Sequence, residues 1–174
     1  MNALRLRPAS RADVLALSQL GNDSFVAKFG HLYCPQDLAA FLADAYSPEA
    51  IEAELSNPDR LYCLAESEGQ LAAYCKLGLT GSFPEHARGQ RTIELKQIYT
   101  QSDLTGQGIG AALMDWALTE ARARGADEIQ LSVFSGNEGA QRFYARYGFV
   151  KVADVTFRVG SHIDDEFLLS LLLV

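Results

Sequence analysis

Apolar residues along this chain recur at two spacings, and the changes between them mark its elements. Leu4 to Arg7 alternates apolar and polar positions as a strand does, and Pro8 closes it. Ser10-Arg11-Ala12-Asp13 is a capping-box pattern that opens a helix through about Leu20. A second helical region follows over residues 23–46, interrupted near Gly30 and Pro35. Ser47-Pro48 starts a further helix, with serine at the cap and proline in the first turn, and Asn57-Pro58-Asp59 stops it. Two alternating runs, Leu61 to Glu66 and Leu71 to Leu79, flank the polar turn around Ser67-Glu68-Gly69 and predict an antiparallel hairpin. Residues 80–91, with Gly81, Pro84 and Gly89, read as a mobile loop that is basic at its end.

Alternation returns from Thr92 to Thr100. Ile109, Leu113, Trp116, Ala117 and Ala121 then recur at helical spacing, and that helix ends near Arg124-Gly125, where cations meet its negative pole. A strand at Ile129 to Phe134, a helix at Asn137 to Arg146, and strands near Phe149 to Arg158 and Glu166 to Leu172 complete the order. Strands followed by a late βαβ unit predict a mixed α/β fold, and no linker divides it. At 174 residues, 48% apolar and 21% charged, the chain has the size and make-up of one domain with a full core.

Charge and cysteine usage narrow the class. A formal net charge of -7 disfavours a nucleic-acid surface, because phosphate contacts need clustered cations, and it suits a cationic partner. The same acidity also serves plain solubility. Cys34, Cys63 and Cys75 are odd in number and lack C-x-x-C spacing, which argues against a disulfide framework and a zinc site and predicts reduced, half-buried thiols. Met1 to Arg7 has no long apolar segment behind it, and the apolar tail from Phe167 to Val174 is too short to span a bilayer. No membrane partner is expected, and the predicted compartment is the cytoplasm.

The densest chemical signal is Leu104-Thr105-Gly106-Gln107-Gly108-Ile109-Gly110-Ala111, three glycines at alternate positions leading into the amphipathic helix. Glycines let the backbone approach a ligand and adopt positive φ, while the helix start offers free N–H groups and a positive dipole end. The pattern predicts a pyrophosphate site. No Gly-Lys-Ser/Thr follows, so the triphosphate-cradling lysine is absent. Gly106, Gly108 and Ala111 also satisfy the dinucleotide fingerprint, with Asp127 and Glu128 about twenty residues on. Those acids, however, precede the next strand, whereas a ribose-binding acid follows it, and too little chain remains for a doubly wound sheet.

Past the next strand comes Asn137-Glu138-Gly139-Ala140-Gln141-Arg142-Phe143-Tyr144-Ala145-Arg146-Tyr147-Gly148-Phe149. Together with the glycine loop it resembles the GCN5-related N-acetyltransferase (GNAT) superfamily, which pairs R/Q-x-x-G-x-G/A with a downstream N-x-x-A-x-x-F-Y-x-x-x-G-F. Thr105 departs from that pattern, standing where Arg or Gln is usual. Because the loop acts mainly through backbone N–H groups, the departure is expected to weaken coenzyme binding modestly. In the first half, Phe25, Phe29-Gly30-His31-Leu32-Tyr33, Asp37-Leu38, Phe41-Leu42, Ala45-Tyr46-Ser47 and Glu54-Leu55 resemble the PaiA-type polyamine acetyltransferases. Phe157-Arg158-Val159-Gly160 and Asp165 extend that likeness.

The resemblance implies one α/β domain over residues 1–174, with a mixed, mostly antiparallel sheet of about six to seven strands flanked by helices on both faces. It implies acetyl-CoA as co-substrate, no metal, a small-molecule amine such as spermidine or spermine as acceptor, and a monomer or homodimer. Coenzyme contacts map onto Thr105, Gly106, Gln107, Gly108, Ile109, Gly110 and Ala111, onto main chain at Ile98, Tyr99 and Thr100, and onto Asn137 and Phe143. Asn137 is equally a good helix cap, and Phe143 suits packing. Tyr144 is the expected general acid, since a phenol is protonated at neutral pH; a core aromatic is the alternative. Glu94, six residues before Thr100, is a candidate base, and alternation would put it on the face of Lys96, Ile98 and Thr100; a structural Glu94–Lys96 pair or an ordered water competes with that role. Phe29, His31, Tyr33 and Tyr46 are candidates to line an amine slot, with Asp37, Asp44, Glu49 and Asp165 available to hold distant charges. No motif places a cysteine as nucleophile, which agrees with direct attack on the thioester. A peptide-amine acetyltransferase and a non-catalytic acyl-CoA sensor are the rival readings.

Overall fold

In the computed structural model, which describes residues 3–174, a single twisted sheet separates two groups of helices. Met1 and Asn2, the start of the amino-terminal run considered above, lie outside the described residues. The elements run β1 (Arg5–Pro8), α1 (Val14–Phe29), α2 (Pro35–Tyr46), α3 (Pro48–Ser56), β2 (Arg60–Ser67), β3 (Gln70–Gly78) and β4 (Thr92–Thr100). After them come α4 (Ile109–Ala123), β5 (Glu128–Phe134), α5 (Glu138–Arg146), β6 (Val150–Val159) and β7 (His162–Leu172). The strands are ordered β1-β2-β3-β4-β5-β7-β6, and every pairing is antiparallel except β4 with β5. This is the mixed α/β architecture that the order of periodicities implies.

Each face of the sheet has its own core. Cys63, Ala73, Cys75, Leu77, Ile93, Leu95, Ile129 and Leu131 pack against Leu113, Met114, Ala117 and Ala121 of α4, with Phe143, Tyr144 and Tyr147 of α5 beside them. On the other face Tyr62, Leu64 and Tyr74 meet Leu17, Leu20 and Phe25 of α1, Tyr46 of α2 and Ile51 of α3. Among the described residues no helix is long and apolar enough to cross a membrane.

Four local expectations are corrected. The helix that opens near Ser10 does not stop at Leu20 but runs unbroken to Phe29. Gly21, which weakens a helix by local propensity, is kept there by packing: a Cβ at this position would lie 2.5 Å from the Tyr46 ring. The last strand begins at His162, four residues before the predicted Glu166. The thiols are not half-buried, since Cys63 and Cys75 are buried and Cys34 is exposed.

The fourth correction concerns residues 80–91, which carboxylates tether to the sheet. Glu94 Oε2 accepts from Ser82 N at 3.0 Å, Glu128 Oε2 accepts from Arg88 N and Gly89 N at 2.9 Å each, and Asp127 accepts from Gln90 N and Arg91 N. The buried Glu128 also takes the hydroxyls of Thr92 and Ser170. Charge-assisted bonds to several donors hold a loop that composition alone presents as free.

Candidate active site

β4 and β5 pair over only three residues each, Thr92–Glu94 with Glu128–Gln130, and then part. Beyond that point their facing edges leave a cleft, bordered by Ile98 on one side and Ser132, Val133 and Phe134 on the other. Parallel strands carry no tight turn that would force them to stay together, and β4 is additionally bent by a bulge. Gln97 pairs with Lys76 and Leu95 with Leu77, so Lys96 is the extra, unpaired residue. The bulge resets the alternation. Ile93, Leu95 and Ile98 face α4, whereas Glu94, Lys96, Gln97 and Tyr99 face the aromatic helices. Glu94 therefore does not share a face with Ile98 and Thr100, as strict alternation would require.

Two cavities meet at the cleft. One, about 870 Å³, lies on the glycine loop and is lined by Thr105, Gly106, Gly108, Ile109, Gly110 and Ala111, with Ile98, Thr100 and Phe143 across from them. Gly106 and Gly108 have φ of +77° and +82°, which only glycine adopts at little cost, and a Cβ on either would meet nothing within 4 Å. Their side of the loop is open space. Gly108 caps α4 with no side-chain bond, and the first helical bond runs from Ala112 N to Gly108 O. The N–H groups of Ile109, Gly110 and Ala111 thus have no helical acceptor, and they add to the positive pole of a 15-residue helix. Arg146, Lys28 and His31 also border this cavity. The donor set and the open cradle fit a diphosphate.

The second cavity, about 570 Å³, is aromatic, with Phe25, Phe29, Tyr33, Phe41, Tyr46, Tyr62, Tyr99 and Phe157 in its walls. Its hydroxyls are ordered by hydrogen bonds. Tyr74 donates to Gln97 Oε1 at 2.9 Å, Gln97 Nε2 donates to the Tyr46 hydroxyl at 3.0 Å, and the Tyr46 and Tyr99 hydroxyls stand 3.3 Å apart. Tyr33 donates to Asp164, which His162 Nε2 also meets at 2.9 Å. Four carboxylates reach these walls: Asp44, Glu54, Asp164 and Glu166. Lys76 and Lys96 reach them too, but Lys76 pairs with Glu54, and Lys96 lies 3.1 Å from Glu94 Oε2. Lys28 sits 5.1 Å above the Tyr99 ring, and burial lowers its pKa.

Asn137 and Tyr144 border both cavities. Asn137 caps α5, its Oδ1 accepting from Ala140 N at 3.1 Å, which leaves its NH2 free to face the cleft. Tyr144 is held by edge contacts to Phe143 and Phe149, with ring centroids 5.3 and 5.8 Å away. Among the described residues its hydroxyl has no hydrogen-bond partner, whereas Tyr147 donates to Ala111 O at 3.4 Å. Burial, and secondarily the neighbouring Cys75, push the Tyr144 phenol above its usual value, so it is protonated at neutral pH.

The acetyltransferase (GNAT) family model matches residues 26–149, most of the chain. The chain belongs to the GNAT acetyltransferase family. An N-acetyltransferase of Mycobacterium tuberculosis (strain ATCC 25618 / H37Rv) is 32% identical over 136 residues, covering 78% of this chain and 81% of that one. An N-acetyltransferase encoded in the pepI 3' region of Lactobacillus delbrueckii subsp. lactis is 25% identical over the full length of both. The fold is similar to that of the PaiA N-acetyltransferase of Thermoplasma acidophilum in complex with coenzyme A, with a TM-score of 0.79 and 22% identity over 98% of this chain and 99% of that one.

Set against the GNAT expectations, the structure gathers most of the named positions around the cleft. Thr105 replaces the usual Arg or Gln by closing its own turn, its hydroxyl donating to Ser102 O at 3.0 Å. Gln107 is exposed and lies outside the cavity lining, and Tyr99 turns its ring into the aromatic cavity. Phe29 borders both cavities, and Tyr33 and Tyr46 wall the aromatic one. His31 stands beside the glycine loop instead. Glu94 does not reach either cavity, because Ser82 and Lys96 occupy its carboxylate. Of the four distant acids, only Asp44 lines the aromatic cavity; Asp37 is bound to Ser161, and Glu49 and Asp165 are exposed.

Sequence reasoning missed Glu54, Gln97, Ser132, Asp164 and Glu166. Starting the last strand at His162 would have placed Asp164 and Glu166 on one face and Asp165 on the other. Glu54 entered only within the first-half resemblance, with no role attached to it, and no signal in the sequence marked Gln97. Among the described residues no group of His, Cys, Asp and Glu is arranged to hold a metal ion.

Proposed function

We propose that this protein transfers an acetyl group from acetyl-CoA to a primary amine by direct attack, with a polyamine such as spermidine or spermine as the acceptor class. The observation that carries the reading is the meeting of the two cavities at the cleft, where Tyr144 and Asn137 border both. The glycine loop would take the diphosphate on the N–H groups of Ile109, Gly110 and Ala111, and the unpaired edge of β4 would offer backbone N–H groups to the thioester carbonyl. An amine entering from the aromatic cavity attacks the carbonyl carbon once it is neutral, and the C–S bond breaks. The Tyr144 hydroxyl gives its proton to the departing thiolate. Burial pushes the Cys63 thiol up to about 11 and the Cys75 thiol well above its usual value, so neither supplies a thiolate nucleophile and a direct route needs none.

The polyamine class is supported by three carboxylates on the aromatic walls, Asp44, Asp164 and Glu166, beside a fourth, Glu54, that is paired with Lys76, and by the pairing of Lys96 with Glu94. A formal net charge of -7 works in the same direction. The test is release of free thiol from acetyl-CoA across spermidine, spermine, simple alkylamines and a lysine peptide. Fast release with polyamines is the expected result. Turnover confined to the peptide would overturn the acceptor class, and coenzyme binding without turnover on any amine would make the protein a sensor.

A further inference from the structure

Direct attack needs the acceptor's ammonium to lose a proton first, since alkylamines have pKa about 10.4. The expected base, Glu94, is tied to Ser82 and Lys96 away from the cavities. Four carboxylates do line the aromatic cavity, and three are committed or remote in character. Glu54 is bridged to Lys76 and Arg60. Asp164 is held by Tyr33 and His162. Asp44 is exposed on α2. Glu166 remains: it is half-buried and lines the cavity, forms no ion pair among the described residues, has Ser132 as a diagonal neighbour on the same sheet face, and pairs across the sheet with Phe134, which borders both cavities.

We propose that Glu166 is the general base, taking the proton from the acceptor's ammonium at the β5 edge of the cleft. The assignment rests on the transferase reading and supplies the proton acceptor that reading lacks. Glu166 from β7 and Tyr144 from α5 both line the aromatic cavity, with Tyr99 of β4 in the same wall, so base and acid border one space. In the full step the Glu166 carboxylate gains the ammonium proton, the neutral nitrogen bonds to the carbonyl carbon, the C–S bond breaks, Tyr144 gives its proton to the thiolate, and the second proton that the nitrogen sheds as the amide forms restores the Tyr144 phenol. Of the titratable groups near Glu166, Asp164 on its own strand, Tyr33 after α1 and Tyr99 on β4 lie close enough to feel its charge; Lys28, Asp44, Glu54, Lys76, Lys96 and Tyr144 line the same cavity from α1, α2, α3, β3, β4 and α5. Burial raises its carboxyl above the usual range, against the lowering effect of the Ser132 hydroxyl and with a smaller raising effect from the like charge of Asp164, which moves a carboxylate toward the values useful for a base near neutral pH.

The test is the pH profile of kcat/KM with saturating acetyl-CoA. Glu166→Gln is expected to lower kcat/KM by about 100-fold near pH 7 and to remove the acid limb, while coenzyme affinity by calorimetry is unchanged and shows that the variant folds. Two milder variants report on the same limb. Ser132→Ala removes a donor that favours the charged form and is expected to move the limb to higher pH, and Asp164→Asn removes a like charge and is expected to move it lower. A profile unaltered in Glu166→Gln, or a limb lost in Glu94→Gln, overturns the assignment while leaving the transferase standing. Wild-type protein that releases no thiol with any amine overturns both.

Discussion

At the scale of single residues, the candidate site sets side chains that border the cleft beside glycines whose backbone faces open space. Gly108 adopts φ +82° with no protein atom near its missing Cβ, so a substitution there meets backbone strain and the space a ligand needs, not the protein. Gly108→Ala is expected to cost about 1–2 kcal/mol of stability from the strained φ and to weaken acetyl-CoA binding at least tenfold, as read by calorimetry. Tyr144 and Tyr147 belong to the same helix and differ in what their hydroxyls do, one facing the cleft and one bonded to Ala111. Tyr144→Phe should therefore lower kcat by about 100-fold with coenzyme affinity held within about twofold. Equal losses in both measurements would mark the ring as packing.

At the scale of elements, local propensity yields wherever two elements press together. Gly21 lies inside α1, where alanine is normally better by about 1 kcal/mol. Here a Cβ would lie 2.5 Å from the Tyr46 ring and 3.1 Å from the Tyr74 hydroxyl. Gly21→Ala is expected to destabilise by about 1–3 kcal/mol in urea unfolding, since the rigid aromatic cluster cannot give way. The junction of β1 and α1 is fixed by charge. Arg7 forks onto Asp13 at 2.7 and 2.9 Å and also reaches Glu66, while Ser10 donates its backbone and hydroxyl to Asp13.

The Arg7 bond, with the Ser10 bonds behind it, holds the Asp13 carboxyl at about 2. A folded-state value below the unfolded one means that the stabilisation is present above about pH 4 and is lost as pH falls toward 2. Asp13→Asn should cost about 1–2 kcal/mol at neutral pH and flatten the fall in unfolding free energy between those pH values. An unchanged acid slope would show that the ion pair is not the cause.

At the scale of the whole molecule, the parting of β4 and β5 matters most, because it opens the sheet between the two cores and lets two cavities share one mouth. Ser132, exposed on the β5 side of the cleft, can carry a larger side chain without entering either core. Ser132→Phe is expected to plug the cleft and lower turnover by more than tenfold while thermal unfolding shifts by no more than about 3 °C, since surface substitutions are near neutral. Retained turnover would mean that the acceptor arrives by another path.

Much of this protein was determined by its sequence alone. The order of strands and helices follows from hydrophobic period, and the glycine loop is legible in its spacing at a helix start, whereas Asn137 and Tyr144 were singled out by the family resemblance. What only the tertiary structure decided depends on residues far apart in the chain. The bulge at Lys96, set by pairing with β3, turned Glu94 away from Ile98 and into a tether for the loop of residues 80–91. The company that Glu166 keeps with Ser132, Asp164 and Tyr99 is fixed by strand register and the divergence of two sheet edges. Register is a property of paired strands, and a linear pattern does not carry it until the partners meet.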